Sequence, residues 1–335
     1  MTSVVASAPG KIVICGEYAV LDGATAISMA VNRRARGEVH ISDAEFQTVR
    51  ASGYLDGEWK FLAGGNGNFE WIGDEPAEGS LDLLREVWTT MAIDSNFDIG
   101  LDTVEFIDPL SKQKLGLGSS AALTVALVTA LAKVTGKSTN VANDAAVAHR
   151  RLQHGRGSGV DIATSMAGGV VEYRMQDSGH GRPTAWPAGL EYAVLWSGRP
   201  ASTGDKLMRL EEARRGEQSG TAGSELRNAS EATARCWSAG ETAELMAVLP
   251  RYIDALMQFD VDHDLGIFDA GHQELADAAA KRKLIYKPCG AGGGDAGIVF
   301  ATDKEAVAEF ASLAGERGFQ LLDVSLDKRG VILES

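Results

Sequence analysis

Residues 115–122, L-G-L-G-S-S-A-A, run without a break into the apolar stretch L-T-V-A-L-V-T-A-L-A-K-V at 123–134, with Gly136 just beyond it. The pattern predicts a buried helix that starts at the serines, with Ser119 or Ser120 near its cap, and stops at the glycine. Gly116 and Gly118 let the backbone approach a bound group closely. The free N–H groups and positive dipole end of the helix suit a phosphate, so a polyphosphate is the natural guest. Lys112 and Lys114 lie just upstream. They complete a nucleotide-binding set of Lys112, Lys114, Gly116, Leu117, Gly118, Ser119, Ser120 and Ala121, in which the hydroxyls of Ser119 and Ser120 are candidates to hold a phosphate-bridging Mg²⁺.

The chain has 335 residues, enough for two domains, and 39 of them are glycine. The usual glycine share is about 7%, so the surplus points to close backbone approach in several loops. With 32 Lys and Arg against 46 Asp and Glu, the net charge is −14. An acidic chain without a basic run gains no counterion-release affinity, which argues against nucleic acid as a partner. An anionic ligand would need a local cationic cluster that reverses the sign of the field. Three scattered cysteines, Cys15, Cys236 and Cys289, fit neither a disulfide framework nor a zinc site and suit a reduced, cytoplasmic setting. No leader segment and no apolar window long enough for a membrane span is evident.

Short strands are expected at Ile12–Cys15, Ala24–Val31 and Glu38–Ile41, separated by turns at Gly16, Asp22-Gly23 and Asn32. A hairpin excursion should fill 44–78. Helices are expected at 80–93, 140–153 and from Val160 to Gly168-Gly169, before a strand at Val170–Tyr173. The Gly- and Pro-rich stretch 175–190 is the expected boundary, giving domains 1–180 and 181–335. Beyond it come a strand at Tyr192–Trp196, helices in 205–258 and 270–283, a strand at Ile298–Thr302, a helix at 303–317 and terminal strands near 319–323 and 331–333.

Three further motifs carry chemistry. P-G-K-I-V-I-C-G-E-Y at 9–18 places Lys11 at the start of a buried strand, where a lysine needs a partner or a task. G-R-G-S-G-V-D at 155–161 places Asp161 in the first turn of a helix. G-A-G-G-G-D-A-G at 290–297 is nearly pure backbone, suited to closing on a ligand or supporting the first loop. No Walker A string occurs.

P-G-K-I-V-I-C-G-E-Y at 9–18, G-L-G-S-S-A-A at 116–122 and G-A-G-G-G-D-A-G at 290–297, in this order across nearly the whole chain, resemble the GHMP kinase superfamily. The resemblance implies an α+β, two-domain fold: a ribosomal-protein-S5-like N-terminal domain and a ferredoxin-like C-terminal domain, with ATP against residues 115–120 and Mg²⁺ beside it. Within the superfamily, Ala148-His149 with Gln153 and G-S-G-V-D at 157–161, and L-W-S-G-R-P-A-S-T at 195–203, are similar to the phosphomevalonate kinase family. Mevalonate kinases usually carry a glutamate eleven residues before the aspartate, where this sequence has Arg150.

The resemblance implies a phosphorylated, carboxylated acceptor, phosphomevalonate, held by Lys11, Glu17, Tyr18, Arg156, Ser158, Gly159, Asp161, Ser202, Thr203, Gly292, Gly293, Gly294 and Asp295. A phosphate monoester with second pKa of about 6 is already largely ionised at neutral pH, so a general base is optional. Lys11 is then expected to neutralise charge between donor and acceptor, and Asp161 to orient Lys11 or the acceptor. The alternatives are mevalonate kinase or a related decarboxylase, a non-catalytic sensor of the same fold, and a nicotinamide binder. The last lacks an acidic residue about 20 positions after a first strand. Monomer and homodimer both remain open.

Overall fold

The computed structural model describes residues 3–64, 69–136, 140–176, 180–216 and 222–334. The long apolar helix organises the first lobe. Two strands, β1 (Ser3–Cys15) and β2 (Ala26–Ile41), form an antiparallel ribbon joined by a short 3-10 turn at Ala19–Asp22. Strands β3 (Gln47–Ser52), β4 (Gly57–Ala63) and β5 (Phe69–Ile72) make the expected hairpin excursion, followed by helix α1 (Asp82–Met91) and strand β6 (Phe97–Asp102). Strand β6 pairs antiparallel with β2 and parallel with β3. Helices α2 (Ser119–Thr135), α3 (Val141–Leu152) and α4 (Val160–Ala167) follow, then strands β7 (Val170–Tyr173) and β8 (Arg182–Thr184).

Helix α2 lies across both β1 and β2. It is buried almost all round, from Ala121 to Leu131, because the sheet covers one side and α1, α3 and α4 cover the others. Contact with β2 is close: a Cβ on Gly37 would fall 2.9 Å from the Leu127 backbone. Leu127 is fully buried, and truncating such a leucine to alanine costs about 2–5 kcal/mol.

The second lobe is built on strands β9 (Glu191–Trp196), β10 (Ile285–Pro288), β11 (Ala296–Ala301) and β12 (Gln320–Leu322). They pair antiparallel in the order β10-β11-β9-β12. Helices α5 (Thr203–Gly216), α6 (Ala222–Ala239), α7 (Thr242–His263) and α8 (His272–Ala280) fill the connection from β9 to β10, and α9 (Lys304–Gly315) joins β11 to β12. This is the ferredoxin-like βαββαβ arrangement with an enlarged first crossover. A final strand, β13 (Ile332–Glu334), pairs with the outer edge of β1.

Two expectations need correction. The segment from Ala24 to Ile41 does not break at Asn32: Asn32 and Arg33 form a bulge between Arg34, paired with Pro9, and Val31, paired with Gly10. The bulge is filled by a later part of the chain, since Asn32 exchanges hydrogen bonds with Ser325 through both its backbone N–H and its side-chain oxygen. The sheets also do not divide at 180/181. Within the expected boundary 175–190, residues 177–179 lie outside the described residues, but β8 at 182–184 is paired with β7, and β13 returns to the first sheet. The buried guanidinium of Arg34 fastens that return, donating to Asp327 at 2.6 Å and to the Gly330 carbonyl at 2.7 Å.

Candidate active site

Between the lobes lies a cleft of about 920 Å³. Helix α2 begins there without a side-chain cap: Gly118 occupies the cap position at φ +80°, so Ser119 and Ser120 are the first helical residues and their hydroxyls are not spent on the helix end. Ser119 is therefore next to the cap, as expected, with Gly118 as the cap itself. Gly116, at φ +75°, leaves no space for a side chain, because a Cβ would sit 2.2 Å from that of Asp295. The two glycine-rich loops therefore touch, and Gly116 through Ser120 line the cleft.

Lys11 reaches the same loop from β1. Its N–H donates to the Leu117 carbonyl at 2.8 Å, its side chain crosses over Gly118, and its ammonium points toward Gly290. Lys114 stands with its ammonium 3.4 Å from the centroid of the Tyr54 ring, a cation–π contact. Burial lowers its pKa, with Asp295 pulling the other way. Lys112 and Arg156 also line the cleft. The N-termini of α2, α4 and α5 open onto it through Ser119, Val160-Asp161 and Thr203-Gly204. Four cations and three helix dipoles thus supply, within an acidic chain, the positive field an anionic guest requires.

Asp161 and Ser158 line the cleft from the start of α4, and Ser202 and Thr203 from the start of α5. Gly159 is the left-handed cap of α4, at φ +84°. Arg156 donates from Nε to Glu211 on α5 at 2.9 Å, which leaves its two terminal nitrogens for the cleft. The clustered cations at 150–156 divide as helical geometry demands: His154 and Arg156 reach the cleft, while Arg150 and Arg151 are exposed and do not line it.

Of the other expected residues, Tyr18 and Asp295 border the cleft, while Gly292, Gly293 and Gly294 do not. Gly292 and Gly293 pack against the Gly266-Ile267 turn, with the Gly293 N–H donating to the Ile267 carbonyl at 2.7 Å. Gly294 is held from behind by His272, whose Nε2 lies 3.0 Å from its carbonyl. The Asp295 carboxylate accepts from the Ala201 N–H at 3.1 Å, and burial raises its pKa. It joins the second glycine loop to the segment leading into α5. Tyr18 donates to the Ala291 carbonyl at 2.6 Å and so supports that loop from below.

Glu17 borders the cleft, but both its carboxylate oxygens are engaged inside the protein. Lys287 takes one and the Tyr252 hydroxyl the other, and the two charged side chains are 0% and 1% exposed. Sequence reasoning missed this pair, and it marked His149, whose ring lies against both Ser120 and Asp161, only as part of a family-like lead-in to Asp161 and not as a site residue. A signal existed for the histidine. Ala145, Ala148 and His149 form the buried stripe of α3, so a polar ring sat at a helical spacing otherwise reserved for small apolar residues.

A second cavity of about 490 Å³ opens beside the start of α2, sharing Tyr54, Lys114, Ser119, Ser120 and Leu152 with the cleft. Leu55, Leu81, Leu84, Leu101 and Leu123 make most of its remaining wall apolar. Phosphate groups at the helix start would leave this slot for a flat aromatic base.

A glycine loop at a helix start, facing a lysine from the first strand, is the arrangement of the GHMP kinases, and the family model "GHMP kinases N terminal domain" matches residues 83–169. Phosphomevalonate kinase from Streptomyces sp. strain CL190 is 30% identical over 353 aligned positions, covering 91% of each chain. A mevalonate kinase from Methanothermobacter thermautotrophicus is 33% identical, but over 50% of this chain and 48% of its own. The structure of Streptococcus pneumoniae phosphomevalonate kinase in complex with phosphomevalonate and AMPPNP shares the fold. Its TM-score is 0.77 at 18% identity, over 97% of this chain and all of that one. The chain belongs to the GHMP kinases, in the phosphomevalonate kinase family.

Proposed function

We propose that the chain transfers the terminal phosphoryl group of ATP to 5-phosphomevalonate, giving 5-diphosphomevalonate; it is a phosphotransferase with a phosphate group as acceptor. The observation that carries this is the cationic cleft: Lys11, Lys112, Lys114 and Arg156 line it together with the starts of α2, α4 and α5. That concentration of positive charge suits a triphosphate together with a second anion, with the adenine in the adjoining apolar slot.

The donor set fits magnesium. The Ser119 and Ser120 hydroxyls and the Asp161 carboxylate are hard oxygen donors beside the phosphate loop, and Mg²⁺ typically takes few protein ligands and completes its shell with phosphates and water. When bound, the ion offsets charge on the bridging phosphate oxygens. Lys11 places its ammonium where negative charge builds between donor and acceptor, which lowers the barrier more than it aids binding. Asp161 has no proton to remove from an ionised phosphate, so its part is to orient. Arg156 offers two terminal N–H groups to the acceptor phosphate.

A panel of phosphomevalonate, mevalonate, diphosphomevalonate, homoserine and galactose, each with ATP and Mg²⁺ and scored by product mass, tests the reading. Diphosphomevalonate should form from phosphomevalonate alone. Conversion of mevalonate with phosphomevalonate left untouched would transfer the assignment to the mevalonate kinases.

A further inference from the structure

We propose that Lys206 is a positioning residue for the acceptor: its buried ammonium fastens the first turn of α5 to the turn after α7 and to the second glycine loop, and so sets where Thr203 and Gly204 stand in the cleft. The inference rests on the reading above in placing the acceptor at the α5 start. Lys206 is 9% exposed and does not line the cleft. Its Nζ donates to the carbonyl of Leu265 and, at 3.0 Å, to that of Gly266. Both carbonyls lie just beyond α7, which ends at His263, where the helix dipole favours a cation. The glycine loop closes in on the same ammonium: a Cβ on Gly293 would fall 2.4 Å from Nζ and 2.8 Å from the Gly266 carbonyl oxygen.

The helix it holds explains why a lysine stands there. Among the described side chains of α5, only Lys206 and Leu210 are buried, and a helix in a protein owes most of its stability to the packing of an apolar face. One leucine supplies little of that. The segment is instead anchored at two points that bracket its cleft-lining residues. Before them, the Ala201 N–H is held by Asp295, which also packs against Gly116 of the nucleotide loop. After them, Lys206 is held by the Leu265 and Gly266 carbonyls. Between the anchors Ser202 caps the helix, its Oγ accepting from the Asp205 N–H at 3.2 Å, and Thr203 and Gly204 keep N–H groups with no partner inside the helix. Those two residues line the cleft. Loss of the second anchor frees the turn to shift against the nucleotide loop, and a displacement of about 1 Å costs about 10²-fold in transfer.

The first test needs no substrate. Lys206→Met keeps most of the side chain's length and removes both hydrogen bonds. In nucleotide-free protein, hydrogen exchange of peptides spanning 204–210 should quicken by about tenfold or more, the scale of losing a charge-assisted hydrogen bond, while peptides at the start of α2 stay unchanged. Unaltered exchange at 204–210, or an equal rise in both places, overturns the proposal.

In turnover, kcat/KM for phosphomevalonate should fall by about 10–100-fold while KM for ATP moves less than about twofold. Lys206→Gln, whose amide still donates to one carbonyl, should fall between the wild type and Lys206→Met, and it carries the test alone should the methionine variant not fold. A lowered unfolding midpoint with unchanged kcat and KM would make Lys206 a residue of the fold only, and equal losses for ATP and acceptor would place its effect outside α5. Either result overturns the proposal. The exchange measurement involves no ligand, and turnover can be read with whichever compound of the panel the wild-type enzyme converts, so an error in the assigned acceptor leaves both tests readable.

Discussion

Replacing Lys287 with methionine should be among the most damaging single changes in this chain, although Lys287 does not line the cleft. Its ammonium lies at the junction of the lobes, against Glu17 and 3.4 Å from the Val13 carbonyl, while the Tyr252 hydroxyl occupies the other Glu17 oxygen. Burial pulls the ammonium toward its neutral form, and the Glu17 charge more than offsets this, so its pKa is net raised. Two unit charges about 4 Å apart attract by about 4 kcal/mol at an effective dielectric of about 20. Removing one partner of a buried pair leaves the other uncompensated and costs about 3–5 kcal/mol, against a total stability of about 5–15 kcal/mol. With a urea slope near 3 kcal/mol/M, the midpoint should fall by about 1–1.7 M, followed by fluorescence of the six tryptophans. Adding Glu17→Gln removes the stranded charge and should restore at least half of the loss. A Lys287→Met loss below about 1 kcal/mol, or a double variant as unstable as the sum of the singles, would refute the reasoning. Because the folded pKa is raised, the pair's contribution should be complete at neutral pH and lost only as pH rises above the ordinary lysine range.

Three further outcomes are expected. Gly116→Ala should fold poorly and lose most of its ATP affinity in a fluorescent-nucleotide titration, because the new Cβ meets Asp295 at 2.2 Å and φ is +75°; near-normal binding would mean the two loops are free to separate. In single-turnover assays, Lys11→Ala should slow transfer by about 10²–10³-fold, the scale of losing a charge-stabilising group, and Asp161→Asn by less. The reverse order would make Asp161 a base. His272 is held neutral, chiefly by burial, with its pKa lowered from 6.5 to about 4. The unfolded chain takes up a proton before the native one does, so stability present above pH 6.5 should be lost on acidification, by up to roughly 3 kcal/mol near pH 4. His272→Gln should be less stable at pH 7 but show a flatter urea midpoint between pH 7 and 4.5; parallel profiles would contradict this.

The fold was legible where a local pattern carried it. The apolar run after Ser119 could only be a buried helix, and α4, β7, β9 and α9 fell within a few residues of their expected ends. Pairings between distant segments were not legible. Asn32 looks like a turn until Ser325 fills its bulge, and Arg182–Thr184 and Ile332–Glu334 sit beyond a plausible boundary yet complete the first sheet. The site shows the same division. Lys11, Asp161 and the 115–120 loop were marked by glycine and charge spacing, and Ser202 and Thr203 at the start of α5 only by the family resemblance. Glu17 and Tyr18 lie inside a motif but are spent on Lys287, Tyr252 and Ala291, partners far away in sequence. Lys287 itself, in the buried strand Ile285–Pro288, carries no local mark of its pairing.

Strand β13 gives β1 its outer neighbour, and the segment leading into it carries Asp327, whose carboxylate covers Arg34. An early strand is therefore completed by a late one. Until the second lobe is in place, Val5, Ala6 and Ser7 face outward as an open edge and a guanidinium waits in the interior without its counter-charge. Such an edge is a template for unwanted pairing, and bringing distant segments together slows folding. The first sheet is thus closed by the end of the chain, which acts as its clasp, and a fragment that stops short of β13 would leave that edge open.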